Sequence, residues 1–209
     1  MIFFIATGNK NKKKEFERIL LPLGIEIKTA DELGFTLEEV EETGKTFEEN
    51  SMLKAESGLK QSGYPTLADD SGICVDYLNG EPGIYSARYS GVNGEHGQDE
   101  SNNTKLLKNL ENVPLEKRTA HYACAISVCF PDGRKKTVLG TCEGKIGFER
   151  KGNGGFGYDP LFIYGEGNRT FGEMSPEEKD KVSHRRNALY KMYEYLEEEI
   201  NNDRKRESN

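Results

Sequence analysis

The strongest constraint on the fold lies between His121 and Gly144, where HYACAISVCF, PDGR and KKTVLGTCEG follow one another. Two long strand-like runs around a Pro-Asp-Gly turn read as a β-hairpin with half-buried strands. Upstream, the chain alternates instead. IFFIAT has the composition of a buried strand, and Gly8-Asn9 turns it into KNKKKEFERILLPLG, where Phe16, Ile19, Leu20 and Leu23 recur at helical spacing. A short strand through Ile25 and Ile27 follows. Thr46 and Glu49 form a capping box for a helix that carries Met52, Ala55 and Leu59 on one side, Asn50 and Lys54 on another, and stops at Gly63. TLADDSG begins as a strand and ends in turn chemistry, which puts both acids at a strand end. Alternation followed by a hairpin predicts an α/β fold with a mixed β-sheet flanked by helices, in two lobes with an active-site cleft between them.

Further along, residues 79–97 are rich in glycine and read as a long loop. Gln98 to Leu110 reads as a helix, LFIY as a short strand after KGNGGFGYDP, and Ser175-Pro176-Glu177-Glu178 as a helix start. The last helices are expected to run to about Ile200, giving one domain over 1–200 and a frayed polar tail over 201–209. With 209 residues, 34% hydrophobic and 31% charged, the composition is that of a folded globular chain. Its net charge of −7 means that a polyanionic ligand must be met by local lysines and arginines, which disfavours broad coating of nucleic acid. No apolar run approaches the roughly 18 residues of a membrane helix, and the apolar stretch Met1 to Ala6 precedes its basic cluster, the reverse of a secretory signal. A cytoplasmic protein without membrane attachment is expected. Cys74, Cys124, Cys129 and Cys142 form no CxxC pair and fit reduced, buried thiols better than zinc ligands.

Two phosphate motifs fail on context. Gly44-Lys45-Thr46 would end a P-loop whose first glycine falls at Glu39, with Glu41 and Glu42 inside the loop, where carboxylates repel phosphate. Gly152, Gly154 and Gly157 match GxGxxG, but turn and strand follow where a dinucleotide site needs a helix. Thr7-Gly8-Asn9 with Lys10, Lys12, Lys13 and Lys14 differs, because it lies at a strand-to-helix junction where backbone N–H groups and ammonium groups can hold phosphate oxygens together. The same pattern also suits a solvated basic first turn. Asp69-Asp70-Ser71-Gly72 and Glu41-Glu42 offer the oxygen ligands Mg²⁺ prefers, although turn chemistry and an exposed pair would produce them equally well. On one continuous helix His184 and Arg185 would sit about 140° and 240° round from Lys179. These three converge on one ligand only if the helix breaks near Val182 and Ser183 caps a new one. Phe156 and Tyr158 beside Gly157 can offer an aromatic face to a base, or simply pack.

ATGNKNK, EETGKTFEEN, LADDSG, GEPGIYSARYSG, GNGGFGYDP and SHRRNAL occur together and in order. From Ile2 to about Leu196 the chain resembles the inosine triphosphate pyrophosphatase family, the noncanonical purine nucleoside triphosphate pyrophosphatases of the Ham1-like type. That resemblance implies an elongated mixed sheet, a homodimer, and Mg²⁺-dependent cleavage of ITP, dITP and XTP between the α- and β-phosphates. The products are a nucleoside monophosphate and pyrophosphate, and the role is removal of deaminated purines from the nucleotide pool. It further implies that Thr7, Gly8, Asn9, Lys10, Asn11 and Lys12 lie on the phosphates, that Asp70 accepts the proton, and that Asp70 and Glu41 bind Mg²⁺. Glu42 competes with Glu41, since only one need face the metal. By the same resemblance Ser71, Lys54 and Arg88 contact substrate, Phe156, Gly157, Tyr158 and Asp159 line base and sugar, and Lys179, His184 and Arg185 close over the 6-keto purine.

The chemistry fits those roles. Water attacking an α-phosphorus builds charge on phosphate oxygens, which Mg²⁺ and fixed cations stabilise most in the transition state. Donors such as Arg185 facing the purine 6 position would favour the oxygen of hypoxanthine or xanthine over the amine of adenine. Rejection of GTP needs another contact. The competing expectations are a Maf-like pyrophosphatase for other modified nucleotides and a nucleotide sensor that binds without hydrolysis.

Overall fold

The computed structural model describes residues 1–91, 98–165 and 168–207, so part of the expected 79–97 loop lies outside the described residues. Its elements are β1 (Ile2–Ile5), α1 (Lys10–Leu20), β2 (Glu26–Lys28), α2 (Ala30–Leu33), α3 (Phe47–Ser62), β3 (Thr66–Val75) and α4 (Gln98–Asn109). After these come β4 (Thr119–Cys129), β5 (Lys135–Ile146), β6 (Phe162–Tyr164), β7 (Arg169–Thr170), α5 (Pro176–Lys179) and α6 (His184–Glu207). The seven strands form one sheet in the order β2-β1-β3-β4-β5-β6-β7. β1 pairs in parallel with β2 and β3, while β6 pairs antiparallel with β5 and β7, so the sheet is mixed as the hairpin requires.

By contact density the chain divides into two compact units, Met1–Asp70 with Cys124–Gly140 and Arg185–Asn209, and Ser71–Ala123 with Thr141–His184. The first packs Phe3 and Ile5 of β1, Phe16 and Leu20 of α1, Ile126 and Val128 of β4, and Leu189, Met192 and Leu196 of α6 into one buried cluster. Phe16 and Leu20, four apart, present one helical face to it. α3 starts where the Thr46 hydroxyl accepts the Glu49 N–H at 3.1 Å and ends at Gly63 with φ 70°. Its Gly58 lies so near the sheet that a Cβ there would meet the Thr66 methyl at 2.7 Å. That close approach brings Lys54, one turn earlier, to the edge of β3. The second unit has its own core of Ile73, Val75, Leu106, Leu110, Tyr122, Ile146, Phe162 and Phe171.

Several expectations need correction. Asp69-Asp70-Ser71-Gly72 is not a turn but the middle of the ten-residue strand β3. Glycine serves close approach there, because a Cβ on Gly72 would strike the Ser86 hydroxyl and meet the Gly83 carbonyl oxygen at 2.5 Å. Gly83–Arg88, expected as loop, forms a 3₁₀ helix against that bare backbone, and the Ser86 hydroxyl accepts the Ile73 N–H at 2.9 Å. α6 continues to Glu207, past the expected end near Ile200. Arg134 holds that extension through ion pairs with Glu199 and Asp203. The break before α6 does occur, since α5 ends at Lys179 and α6 begins at His184, directly after Ser183. Among the described residues no helix is long and apolar enough to cross a membrane.

Candidate active site

In the first unit the candidate residues gather on the middle of β3 and the helices packed against it. Asp69 is 4% exposed, and both its oxygens are matched by cations: Lys12 Nζ at 2.9 Å and Arg185 Nε at 3.5 Å. Burial works against its charge, yet Lys12 and Arg185 outweigh it and hold the carboxyl at about 2. Arg185 is itself buried and also pairs with Glu15 at 3.2 Å, so its guanidinium is committed to two carboxylates. The Cys124 thiol, 4.0 Å from Asp69, is pushed up to about 12 by burial and by that charge, which leaves it inert.

Asp70, the next residue, points to the other face of the strand and meets a different environment. Its Oδ1 accepts from Lys54 Nζ at 3.1 Å, and the same ammonium donates to Glu42 at 3.1 Å. Its Oδ2 is buried with no hydrogen-bond partner among the described residues. Burial pushes this carboxyl above the usual range; Lys54 opposes the rise and Glu42 adds to it. Asn50 is fully buried and near enough to oppose the rise weakly, although no hydrogen bond of ordinary geometry joins it to Asp70. Lys54 is raised: burial lowers it, but Asp70, Asp69 and Glu42 together prevail. Between the two glutamates left open by sequence, Glu42 is the one beside Asp70, while Glu41 is exposed. Ser71 follows on β3, half-buried.

The expected phosphate loop precedes α1. The Asn9 carboxamide accepts the Lys12 N–H at 3.3 Å and so caps the helix, and Asn9 N–H donates to the Thr7 hydroxyl at 3.2 Å. Thr7, Gly8 and Asn9 line a cavity of about 440 Å³ with Lys13, Lys14 and Glu32. Lys13 is spoken for by Glu32 at 2.7 Å. Lys10 and Asn11 open α1, with side chains outside the described set.

The second unit builds an aromatic counterpart. Asp159 is 1% exposed and accepts from Lys179 Nζ, from the Phe156 N–H at 2.9 Å and from the Tyr122 hydroxyl at 3.3 Å. Lys179 lies 4.8 Å from the Phe156 ring centre, and the Tyr122 ring stacks on His184 at 4.6 Å and 10°. Burial and the Asp159 charge keep the Tyr122 phenol far above its ordinary value, so it is a donor. Phe156 remains 48% exposed, an aromatic face available to a ligand, whereas Tyr158 is buried and donates to the Ser86 carbonyl at 2.8 Å, so it packs. Gly157, with φ 62°, forms the turn between them. Arg88 is exposed beside Tyr85.

Sequence reasoning did not single out Asn50, Glu15 or Tyr122 as site residues. Asn50 was visible as the residue one turn before Lys54, whereas nothing local distinguishes Glu15 or Tyr122, whose partners lie 170 and 37 residues away. Among the described residues no three His, Cys, Asp or Glu side chains form a ready metal cage.

A carboxylate with one oxygen unmatched among fixed ammonium groups is suited to phosphate-ester chemistry, and known proteins of this architecture are consistent with that class. The Ham1 family matches residues 3–195, and the chain belongs to it. It is 47% identical over 194 residues to a dITP/XTP pyrophosphatase of Bacillus licheniformis, covering 93% of this chain and 97% of that protein. The corresponding Bacillus subtilis protein, also named dITP/XTP pyrophosphatase, is 48% identical over 193 residues, covering 92% and 96%. Among solved structures, the Staphylococcus aureus Ham1 protein superposes with a TM-score of 0.84 at 42% identity, covering 95% of this chain and all of that one.

Proposed function

We propose that this protein hydrolyses dITP, XTP and ITP to the nucleoside monophosphate and pyrophosphate, clearing deaminated purines from the nucleotide pool. The observation that carries the mechanism is Asp70: a buried carboxylate whose Oδ2 lacks a partner among the described residues and whose proton affinity is raised. Such a group is poised to take a proton from water. In the proposed step the water oxygen bonds to the α-phosphorus, its proton passes to Asp70 Oδ2, and the bond from that phosphorus to the α,β-bridging oxygen breaks. Pyrophosphate leaves. Lys54 and Lys12 hold positive charge where phosphate oxygens gain negative charge.

Mg²⁺ fits the residues present. Glu42 and Asp70 converge on one ammonium group, and carboxylates brought to one point are the type of ligand the ion takes; two suffice when phosphates complete the shell. Glu42 and Asp70 would hold the ion, and when bound it would neutralise phosphate charge. Base recognition falls to Phe156, Asp159, Lys179 and His184. The Lys179 ammonium has three protons, and those beyond the Asp159 bond can meet a 6-oxygen, which adenine lacks. Arg185, fixed by Asp69 and Glu15, is a less accessible donor than its position in the sequence suggests. The relatives' likeness extends the proposal to a cytoplasmic homodimer, which light scattering on the purified chain would test for assembly.

The deciding assay measures pyrophosphate and orthophosphate released from ITP, dITP, XTP, ATP, GTP and dTTP, with Mg²⁺ and with a chelator. Pyrophosphate from the first three alone, abolished by chelator and restored by Mg²⁺, is the expected result. Orthophosphate, or a preference for dTTP, overturns it in favour of another phosphohydrolase, and binding without turnover identifies a sensor.

A further inference from the structure

Helix α4 contributes none of the residues assigned to substrate, yet it grips two turns that do. Its side chains fall in two stripes. Asp99 and Asn103, four apart, hold Gly157 by both of its backbone groups: the Gly157 N–H donates to Asp99 at 2.7 Å and its carbonyl accepts from Asn103 Nδ2 at 2.9 Å. Gln98, Asn102 and Lys105 form the neighbouring stripe and hold the 86–90 turn. Asn102 Nδ2 donates to the carbonyls of Ser86 at 3.3 Å and Ala87 at 3.1 Å, while its Oδ1 accepts the Ser90 N–H at 2.7 Å. Lys105 donates to the Tyr89 carbonyl at 2.6 Å, and Gln98 to that of Ala87.

Both asparagines are almost wholly buried, at 2% and 3% exposure, and a buried carboxamide is tolerated where its bonds are needed. One grip fixes the turn that displays the exposed Phe156 ring. The other fixes the turn that displays Arg88. We infer that α4 is a two-sided splint, in which Asn103, with Asp99, positions Phe156 for the purine and Asn102 positions Arg88 for the nucleotide. This rests on the pyrophosphatase reading above and names residues that make substrate recognition precise without touching substrate.

The test is a pair of double-mutant cycles on the full chain, with ITP as substrate and pyrophosphate release as readout. Asn103→Asp keeps the shape but replaces the donor to Gly157 with a charged acceptor, and it should raise KM about tenfold with kcat within twofold. In a Phe156→Ala background the same change should cost less than twofold, because its effect runs through that ring. Asn102→Asp should behave likewise against Arg88→Ala. Additive effects in either cycle, or loss of kcat with KM unchanged, overturn the inference. Should the buried variants fail to fold, Asp99 supplies an exposed alternative: Asp99→Ala should raise KM and Asp99→Asn, which keeps an acceptor for Gly157 N–H, should restore it. Equal behaviour of the two Asp99 variants overturns the splint. A wild-type chain that releases no pyrophosphate removes the function and this inference together, whereas active wild type with additive cycles removes this inference alone.

Discussion

Each unit answers a buried aspartate with a lysine, Asp69 with Lys12 in the first and Asp159 with Lys179 in the second, but the two arrangements differ in what surrounds the pair. Around Asp69 and Lys12 stand further charges, Arg185 and Glu15, and the next residue along the strand is Asp70. Around Asp159 and Lys179 stand rings, those of Tyr122, Phe156 and Phe171. The contrast teaches that a similar ion pair can suit different chemistry according to its lining. Ion on ion suits phosphates, whose charge must be matched, and an ion framed by flat faces suits a heterocycle, which must be stacked and read at its edge.

The largest expected effect comes from breaking the first cluster at Asp70, the proposed base. Asp70→Asn should lower kcat for ITP about 10³-fold, the scale of a lost general base, while leaving the folded protein intact on thermal melting. Turnover within tenfold of wild type would move the base elsewhere. Next come Asp69 and Asp159, the aspartates of the two compared pairs. Asp69→Asn strands Lys12 and leaves the buried Arg185 with Glu15 alone, and should cost about 3–5 kcal/mol in denaturant unfolding, whereas Asp159→Asn takes the carboxylate from Lys179 only, with a smaller loss. Equal losses would mean that the rings stabilise Lys179 no better than the neighbouring ions stabilise Lys12. Acid gives the third probe. Asp69 is held at about 2 in the fold, below an ordinary carboxylate, so its share of stability is present at neutral pH and is lost as pH falls from about 4 towards 2. That share is about 2 kcal/mol, and in Asp69→Asn the corresponding acid limb should flatten. Asp70 has the opposite sign, its raised affinity favouring the protonated fold as pH falls. The smallest effect belongs to Arg134→Ala at the hairpin, where half-exposed ion pairs with Glu199 and Asp203 should yield about 1 kcal/mol or less, and no change in KM.

Much of this was legible in the sequence because it was local. The hairpin turn, the Thr46 cap and Gly63 all announce themselves within a few residues, whereas the break before His184 entered only as the condition for Lys179, His184 and Arg185 to converge. LADDSG was misread for the same reason: Asp, Asp, Ser and Gly are turn formers by propensity, and only the 3₁₀ segment folding back onto Gly72 explains why the strand runs through them. That Glu42 rather than Glu41 meets Lys54 is a fact of packing, not of spacing. The same holds for α4. Its asparagines look unremarkable on a polar helix, and their meaning rests on carbonyls 15 and 54 residues distant.

The bare backbone at Gly72 has a genetic consequence. A single-base change to alanine adds only one methyl group, yet that methyl would drive into the Gly83 carbonyl and the Ser86 hydroxyl. Among natural variants, this seemingly conservative allele should be scored with the nulls.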